Sequence, residues 1–118
     1  MEKFTVTLPL TGEYLTTVRL TTGGLCALAG FNVDETEDYK VCVTESLLIL
    51  KRNGYRNANI CFTVGDTLAC KVQGENGDGT LEENIEDEIS RALLSALVGE
   101  VAFETDKSGK VEKISFVG

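Results

Sequence analysis

Residues 32–54, NVDETEDYKVCVTESLLILKRNG, carry the clearest structural signal in this chain. Asn32 followed three residues later by Glu35 forms a capping box, the arrangement that begins many helices. Gly54 follows the segment and suits the left-handed conformation at a helix C-terminus. The apolar residues that share one face of the segment are Tyr39, Val43, Leu47 and Leu50. The sequence therefore predicts a helix over residues 33–53 with one buried face.

A β-hairpin is predicted directly after this helix, over residues 58–64 and 68–73. A two-residue turn would set Cys61 opposite Cys70 and scatter the apolar side chains over both faces of the sheet. A three-residue turn at 65–67 instead places those side chains on one face. The pairs that it predicts are Val64 with Leu68, Phe62 with Cys70, and Ile60 with Val72. We therefore expect this register, and no disulfide between Cys61 and Cys70.

The other elements are predicted from the same alternation and helical spacing. They are a strand over residues 3–8, a helix over 13–29, a helix over 81–98, and strands over 100–105 and 111–117 joined by a turn at 106–109. Three helices can bury the apolar face of one sheet only by lying on the same side of it. The sequence therefore predicts a two-layer α/β (α+β) sandwich: a mixed, mostly antiparallel five-stranded sheet with three helices on one face. Residues 1–118 are expected to form a single domain.

The first and third helices are each predicted to bury an apolar stripe. The stripe of the first consists of Tyr14, Val18, Leu25 and Leu28, and that of the third of Ile85, Ile89, Leu93 and Leu97. Thr80 and Glu83 form a second capping box before the third helix. Gly23 and Gly24 would allow another element to approach the first helix closely.

Charge and composition argue against several classes of function. The chain has 19 acidic and 11 basic residues and a net charge of −8, which opposes binding to a nucleic-acid backbone. No apolar run approaches the roughly 18 residues that span a bilayer, and the N-terminus lacks signal-peptide character, so we expect a cytoplasmic protein without membrane contact. There is no histidine, and the four cysteines form no C-x-x-C pair, so we expect reduced packing cysteines and no metal site.

Five stretches of the chain carry a resemblance to a known family. They are residues 4–9 (FTVTLP), 13–19 (EYLTTVR), 29–38 (AGFNVDETED), 41–45 (VCVTE) and 96–103 (ALVGEVAF). In this order they resemble the GHKL, or Bergerat-fold, ATPase domains, which include the histidine kinases. The similarity is to the branch of the bacterial anti-sigma-factor serine kinases, and it extends over nearly the whole chain.

The first family motif, E-x-x-x-N, is present only in part. The resemblance implies that Glu45 is the catalytic base that activates the nucleophile. The position of the Mg²⁺-binding asparagine holds Ile49, and an isoleucine offers no oxygen to a hard cation. The histidine that follows in the family is replaced by Asn53.

The second motif, D-x-G-x-G, anchors adenine in the family and has two alignments here. In one, the aspartate position falls on Gly74. In the other, Glu75, Gly77 and Gly79 form an E-x-G-x-G version, and these three residues are the candidate nucleotide-binding residues. A simple turn that uses the conformational freedom of glycine is the alternative interpretation.

The third motif is a glycine-rich lid that meets the phosphates, and its glycine positions fall on Glu88 and Ser90. The segment from Glu75 to Glu88 carries seven carboxylates, and no Lys or Arg lies between Lys71 and Arg91. A triphosphate would be repelled there.

The resemblance therefore predicts a degenerate ATP site on a regulatory, non-enzymatic domain that acts in transcription by binding proteins. Its partners would be a sigma factor, an anti-anti-sigma protein or a second copy in a homodimer. No cofactor is expected unless the family's activity is retained, in which case ATP and Mg²⁺ would bind. The alternatives are an active serine/threonine kinase with a divergent pocket, and a domain unrelated to the family.

Overall fold

The computed structural model describes residues 2–77 and 85–118, which form five strands and three helices. In chain order these are β1 (Glu2–Pro9), α1 (Gly12–Leu28), α2 (Val33–Arg52), β2 (Tyr55–Val64), β3 (Leu68–Gly77), α3 (Ile85–Val98), β4 (Val101–Thr105) and β5 (Val111–Val117). The strand order is β1-β2-β3-β5-β4, and every neighbouring pair is antiparallel. Helix α2 packs on β2, β3 and β5, while α1 and α3 both pack against α2. The predicted two-layer α+β sandwich is confirmed.

Helix α2 begins and ends as its sequence predicts. The Asn32 side chain accepts a hydrogen bond from the backbone N–H of Glu35 at 2.8 Å, and the Glu35 carboxylate accepts one from the Asn32 N–H at 2.9 Å. Gly54 follows the helix with φ of +88°. The predicted apolar face is buried, and the Tyr39 hydroxyl within it donates to the carbonyl of Leu68 at 2.8 Å. This face forms the core with the sheet.

The β2–β3 hairpin has the three-residue register. The observed pairs include Val64 with Leu68, Phe62 with Cys70, and Ile60 with Val72. These residues are buried, whereas Cys61 pairs with Lys71 on the opposite face and is only half-buried. All four cysteines are free, and the other three lie in the core.

The predicted stripe of α1 is half wrong. Val18 and Leu25 are buried, but Tyr14 and Leu28 are exposed. The buried face instead includes Cys26 and Thr22. Burial of the polar Thr22 is possible because its hydroxyl donates a hydrogen bond to the Val18 carbonyl at 2.7 Å.

The two glycines in α1 differ in their surroundings. A Cβ at Gly23 would lie 2.9 Å from Cε of Lys40 on α2, whereas at Gly24 it would meet open space. A side chain at Gly23 would therefore require only the flexible end of Lys40 to shift, and no close backbone contact depends on this glycine.

The predicted stripe of α3 is wrong in its first half. Ile85 and Ile89 are exposed, and the residues of α3 that are buried are Ser90 and Leu94. Leu93 and Leu97 are half-buried. The capping box of Thr80 and Glu83 lies outside the described residues.

Two further expectations concern membranes and metals. None of the helices in the described part of the chain is both long and apolar enough to cross a bilayer. Within residues 2–77 and 85–118, no three side chains of the usual metal-binding types are grouped so that they could hold an ion.

Candidate functional site

A group of polar side chains joins the second half of α2 to the start of α3. It contains Glu45 from α2, and it also includes two residues that sequence reasoning gave no site role. We call this group the polar cluster, and it consists of Glu45, Arg52, Asn53, Asp87 and Ser90.

Arg52 is the centre of the polar cluster. Its Nε donates to Oδ1 of Asp87 at 2.5 Å, and its Nη2 donates to Oγ of Ser90 at 2.6 Å. A longer ion pair of 3.8 Å joins Nη1 to Glu86. The side chains of Arg52 and Asp87 are only 18% and 16% exposed, so their charge-assisted hydrogen bond is largely shielded from water. The Arg52–Asp87 ion pair therefore holds α3 against α2.

Ser90 connects this ion pair to the predicted catalytic base. Its hydroxyl accepts from Arg52 and donates to Oε2 of Glu45 at 2.6 Å. Ser90 itself is buried, and Glu45 is half-buried. One oxygen of the Glu45 carboxylate is thus engaged by a side chain of the same protein.

Asn53 ties the polar cluster to the sheet. Its Nδ2 donates to the carbonyl of Ile49 at 2.8 Å and to Oδ2 of Asp87 at 2.9 Å, while its Oδ1 accepts from the N–H of Val111 at 3.1 Å. This amide is buried and has partners at both ends, as a buried polar group requires. It therefore joins the ends of α2, α3 and β5 at one point.

Ile49 points away from solvent into the core. Its relative exposure is 0%. The position that the resemblance assigns to a magnesium ligand is thus apolar and also enclosed by other core side chains.

The glycines of the second motif lie beside an aromatic ring. The Tyr55 ring packs against Gly74 so closely that a Cβ there would collide with it, and a Cβ at Gly77 would lie 2.8 Å from Nζ of Lys110. That Nζ also lies 4.5 Å from the centroid of the Tyr55 ring, a cation–π contact. Burial is the main cause that raises the pKa of the Tyr55 hydroxyl. Side chains of the protein itself thus fill the space beside both glycines.

The three predicted site residues that the structure describes are not brought together. Glu75 is exposed and pairs across the hairpin with Asn57, and no described hydrogen bond joins it to the polar cluster. Gly77 pairs with Tyr55 at the end of β3. Gly79 lies outside the described residues. Of the three described residues, only Glu45 lies in the cluster.

Sequence reasoning missed Arg52, Asp87, Tyr55 and Lys110 as site residues. Arg52 and Asp87 are 35 positions apart on separate helices, and no local pattern predicts that they meet. For Tyr55 a signal was available, since extending the predicted hairpin register places it opposite Gly77.

Comparison with known proteins supports the resemblance to serine kinases. No protein-family model matches the chain. The serine-protein kinase RsbW of Staphylococcus epidermidis is 31% identical over 80 residues, which are 60% of this chain and 50% of that protein. RsbW from two further strains of the same species gives the same identity and coverage. The chain thus spans about half the length of the curated relatives it matches.

Proposed function

We propose that this chain is a regulatory domain of the anti-sigma-factor serine kinase type that acts by binding proteins and has lost or weakened nucleotide binding. The observation that carries the proposal is the hydrogen-bonded chain from Arg52 through Ser90 to Glu45, which fills the gap between α2 and α3. The similarity to RsbW supports the choice of family branch.

The described side chains do not fit a Mg²⁺–nucleotide at this position. Ile49 supplies no oxygen ligand and is enclosed in the core. Glu86 and Glu88 on the first turn of α3 add negative charge where phosphates would have to lie. The oxygen that would bind the cation is therefore missing, and the guanidinium of Arg52, a positive charge within the cluster, is already paired with Asp87.

Opening the gap for a nucleotide would also carry an energetic cost. The ligand would have to displace the charge-assisted hydrogen bonds that Arg52 makes with Asp87 and Ser90. Its binding energy would have to offset the loss of these hydrogen bonds. This cost supports a pocket that is closed in the resting protein.

The same proposal includes the binding partners, the domain organisation and the cellular location of the protein. By the family resemblance, the partner is a sigma factor or an anti-anti-sigma protein, and a homodimer is the third candidate. We further propose that residues 1–118 act as one histidine-kinase-like ATPase-type domain in the bacterial cytoplasm, with no cofactor.

An active ATP-dependent serine/threonine kinase is the second candidate. Two observations favour it: Glu45 is retained on α2, and the matching relative is a serine-protein kinase by name. In this case the polar cluster would have to open before Mg²⁺ and ATP bind.

Thermal unfolding with and without excess Mg-ATP distinguishes the two candidates. A ligand at about 100 times its Kd stabilises the folded state by roughly 2.7 kcal/mol, which for a domain of this size raises the Tm by about 10 °C. We expect no such rise. Magnesium tripolyphosphate at the same concentration controls for ionic effects. A rise with Mg-ATP and none with tripolyphosphate would overturn the proposal and support the kinase.

A further inference from the structure

The outer side of α3 carries a row of apolar side chains that no described element covers. We call this row the α3 stripe, and it consists of Ile85, Ile89, Ala92 and Ala96. All four are exposed, Ile85 by 69% and Ile89 by 61%. These two isoleucine side chains therefore form apolar surface that the described part of the fold leaves largely uncovered.

Helical geometry places the stripe on one narrow face. At about 100° per residue, the four positions fall within roughly 60° of one another around the helix axis. Leu94, which packs in the core, lies on the opposite side. Leu93 and Leu97, which are half-buried, lie between these two sides, so the described fold covers only part of the apolar surface of α3.

Acidic side chains border the stripe. Glu88 lies on one flank and Glu86 on the other, and both are exposed, although Glu86 also forms the 3.8 Å ion pair with Arg52. Arg91, the nearest basic residue along the helix, is turned away and lies 4.6 Å above the ring of Phe103. The surface is therefore an apolar row with negative edges on a protein of net charge −8.

We propose that the α3 stripe is a docking surface for an amphipathic segment of a partner protein, with apolar side chains along its centre and lysine or arginine at its edges. The apolar row supplies the buried contact, and the acidic edges select the charge of the partner. The proposal rests on the proposed function only in that the domain acts by binding proteins.

Charge argues against the other occupants. A second copy packed stripe to stripe would bring the glutamates of both copies together within a molecule that is already strongly acidic. Nucleic acid and anionic lipid would be repelled by the same residues. A basic protein segment is the one occupant for which both the row and its edges are favourable.

The test uses the full chain and a fluorescent helical peptide of leucine and lysine about three to four turns long, with its glutamate counterpart as the control probe. Fluorescence anisotropy at about 50 mM and 300 mM salt measures binding. We expect the lysine peptide to bind and the glutamate peptide not to bind. Ile89→Ser should weaken binding at least about tenfold. Glu88→Gln should weaken it about threefold at low salt and much less at high salt.

Leu20→Ser on α1 is the matched control, because Leu20 is also an exposed apolar residue, at 73%, but lies on another helix. It should bind as the unaltered chain does, and all variants should keep the unaltered Tm. Equal binding of both peptides, no binding of either, or no effect of Ile89→Ser would each overturn the proposal. A dimer by sedimentation that Ile89→Ser dissociates would also overturn it, in favour of a second copy. Because the Mg-ATP melting experiment does not involve this surface, its result tests the proposed function separately.

Discussion

Replacing Ile49 by asparagine tests whether the magnesium-ligand position faces a pocket or the core. Ile49→Asn restores the residue that the family motif requires, but the structure encloses this side chain completely. Loss of a buried isoleucine removes about 1.5–3 kcal/mol of apolar transfer energy. An amide without partners in the core costs about 1–3 kcal/mol more. We therefore expect a destabilisation of about 3–5 kcal/mol, a large part of the 5–15 kcal/mol typical of a domain.

Urea unfolding and thermal melting measure this loss, with Ile49→Val as the control. The valine variant keeps an apolar side chain and should lose only about 0.5–1.5 kcal/mol. The asparagine variant should melt more than 10 °C below the unaltered protein, or fail to fold at 37 °C. Mg-ATP should raise the Tm of neither variant.

The opposite pattern would refute the reasoning. If Ile49→Asn were as stable as Ile49→Val and gained stability with Mg-ATP, the side chain would have access to a solvent-filled cavity. The gap between α2 and α3 would then be a disabled pocket that one substitution restores.

Three further predictions concern stability and thiol chemistry. Asp87→Ala removes the carboxylate on which the polar cluster depends and should cost about 2–4 kcal/mol in urea unfolding, whereas Glu88→Ala on the same helix should stay within about 0.5 kcal/mol; equal effects would contradict the cluster's role. Cys61 should react first with Ellman's reagent in the folded protein, because burial raises the pKa of Cys42 to about 12 and the other two thiols are also enclosed; more than one fast thiol would contradict this. A serine hydroxyl and two backbone N–H groups donate to the Asp106 carboxylate and lower its pKa below the ordinary value, so this carboxylate stabilises the fold above its unfolded-state pKa and loses that effect as pH falls through the lower, folded value. The stability difference between the unaltered protein and Asp106→Asn should therefore shrink below about pH 4, and a constant difference would contradict the assignment.

Local sequence patterns were sufficient to predict helix α2 and the β2–β3 hairpin, which form the centre of the fold. The capping box of Asn32 and Glu35 fixed the start of α2, because both of its hydrogen bonds join residues three apart. The apolar alternation of the hairpin fixed its register, because a shift of one residue would have turned Phe62 out of the core. The start of α2 and the register of the hairpin both depend on residues that are close in sequence, and a sequence pattern shows such residues directly.

Local patterns could not predict which face of α3 is buried. Counting apolar residues favours Ile85 and Ile89 as the buried side, since the opposite side contains Ser90. That serine is buried because Arg52 and Glu45, far away in the chain, satisfy its hydroxyl. A polar residue whose partners are distant in sequence is indistinguishable from a surface residue until the tertiary contacts are known.

The closed gap and the exposed stripe have a common structural cause. Ser90 and Leu94 are four residues apart, so they lie on one face of α3, and the hydrogen bonds of Ser90 fix that face against α2. Once it is fixed, Ile85 and Ile89 must point to solvent, because they lie on the opposite side of the same helix. Turning α3 to bury the two isoleucines would expose Leu94 and separate Ser90 from both Glu45 and Arg52. The hydrogen bonds of Ser90 to Arg52 and Glu45 thus also determine that the α3 stripe faces solvent.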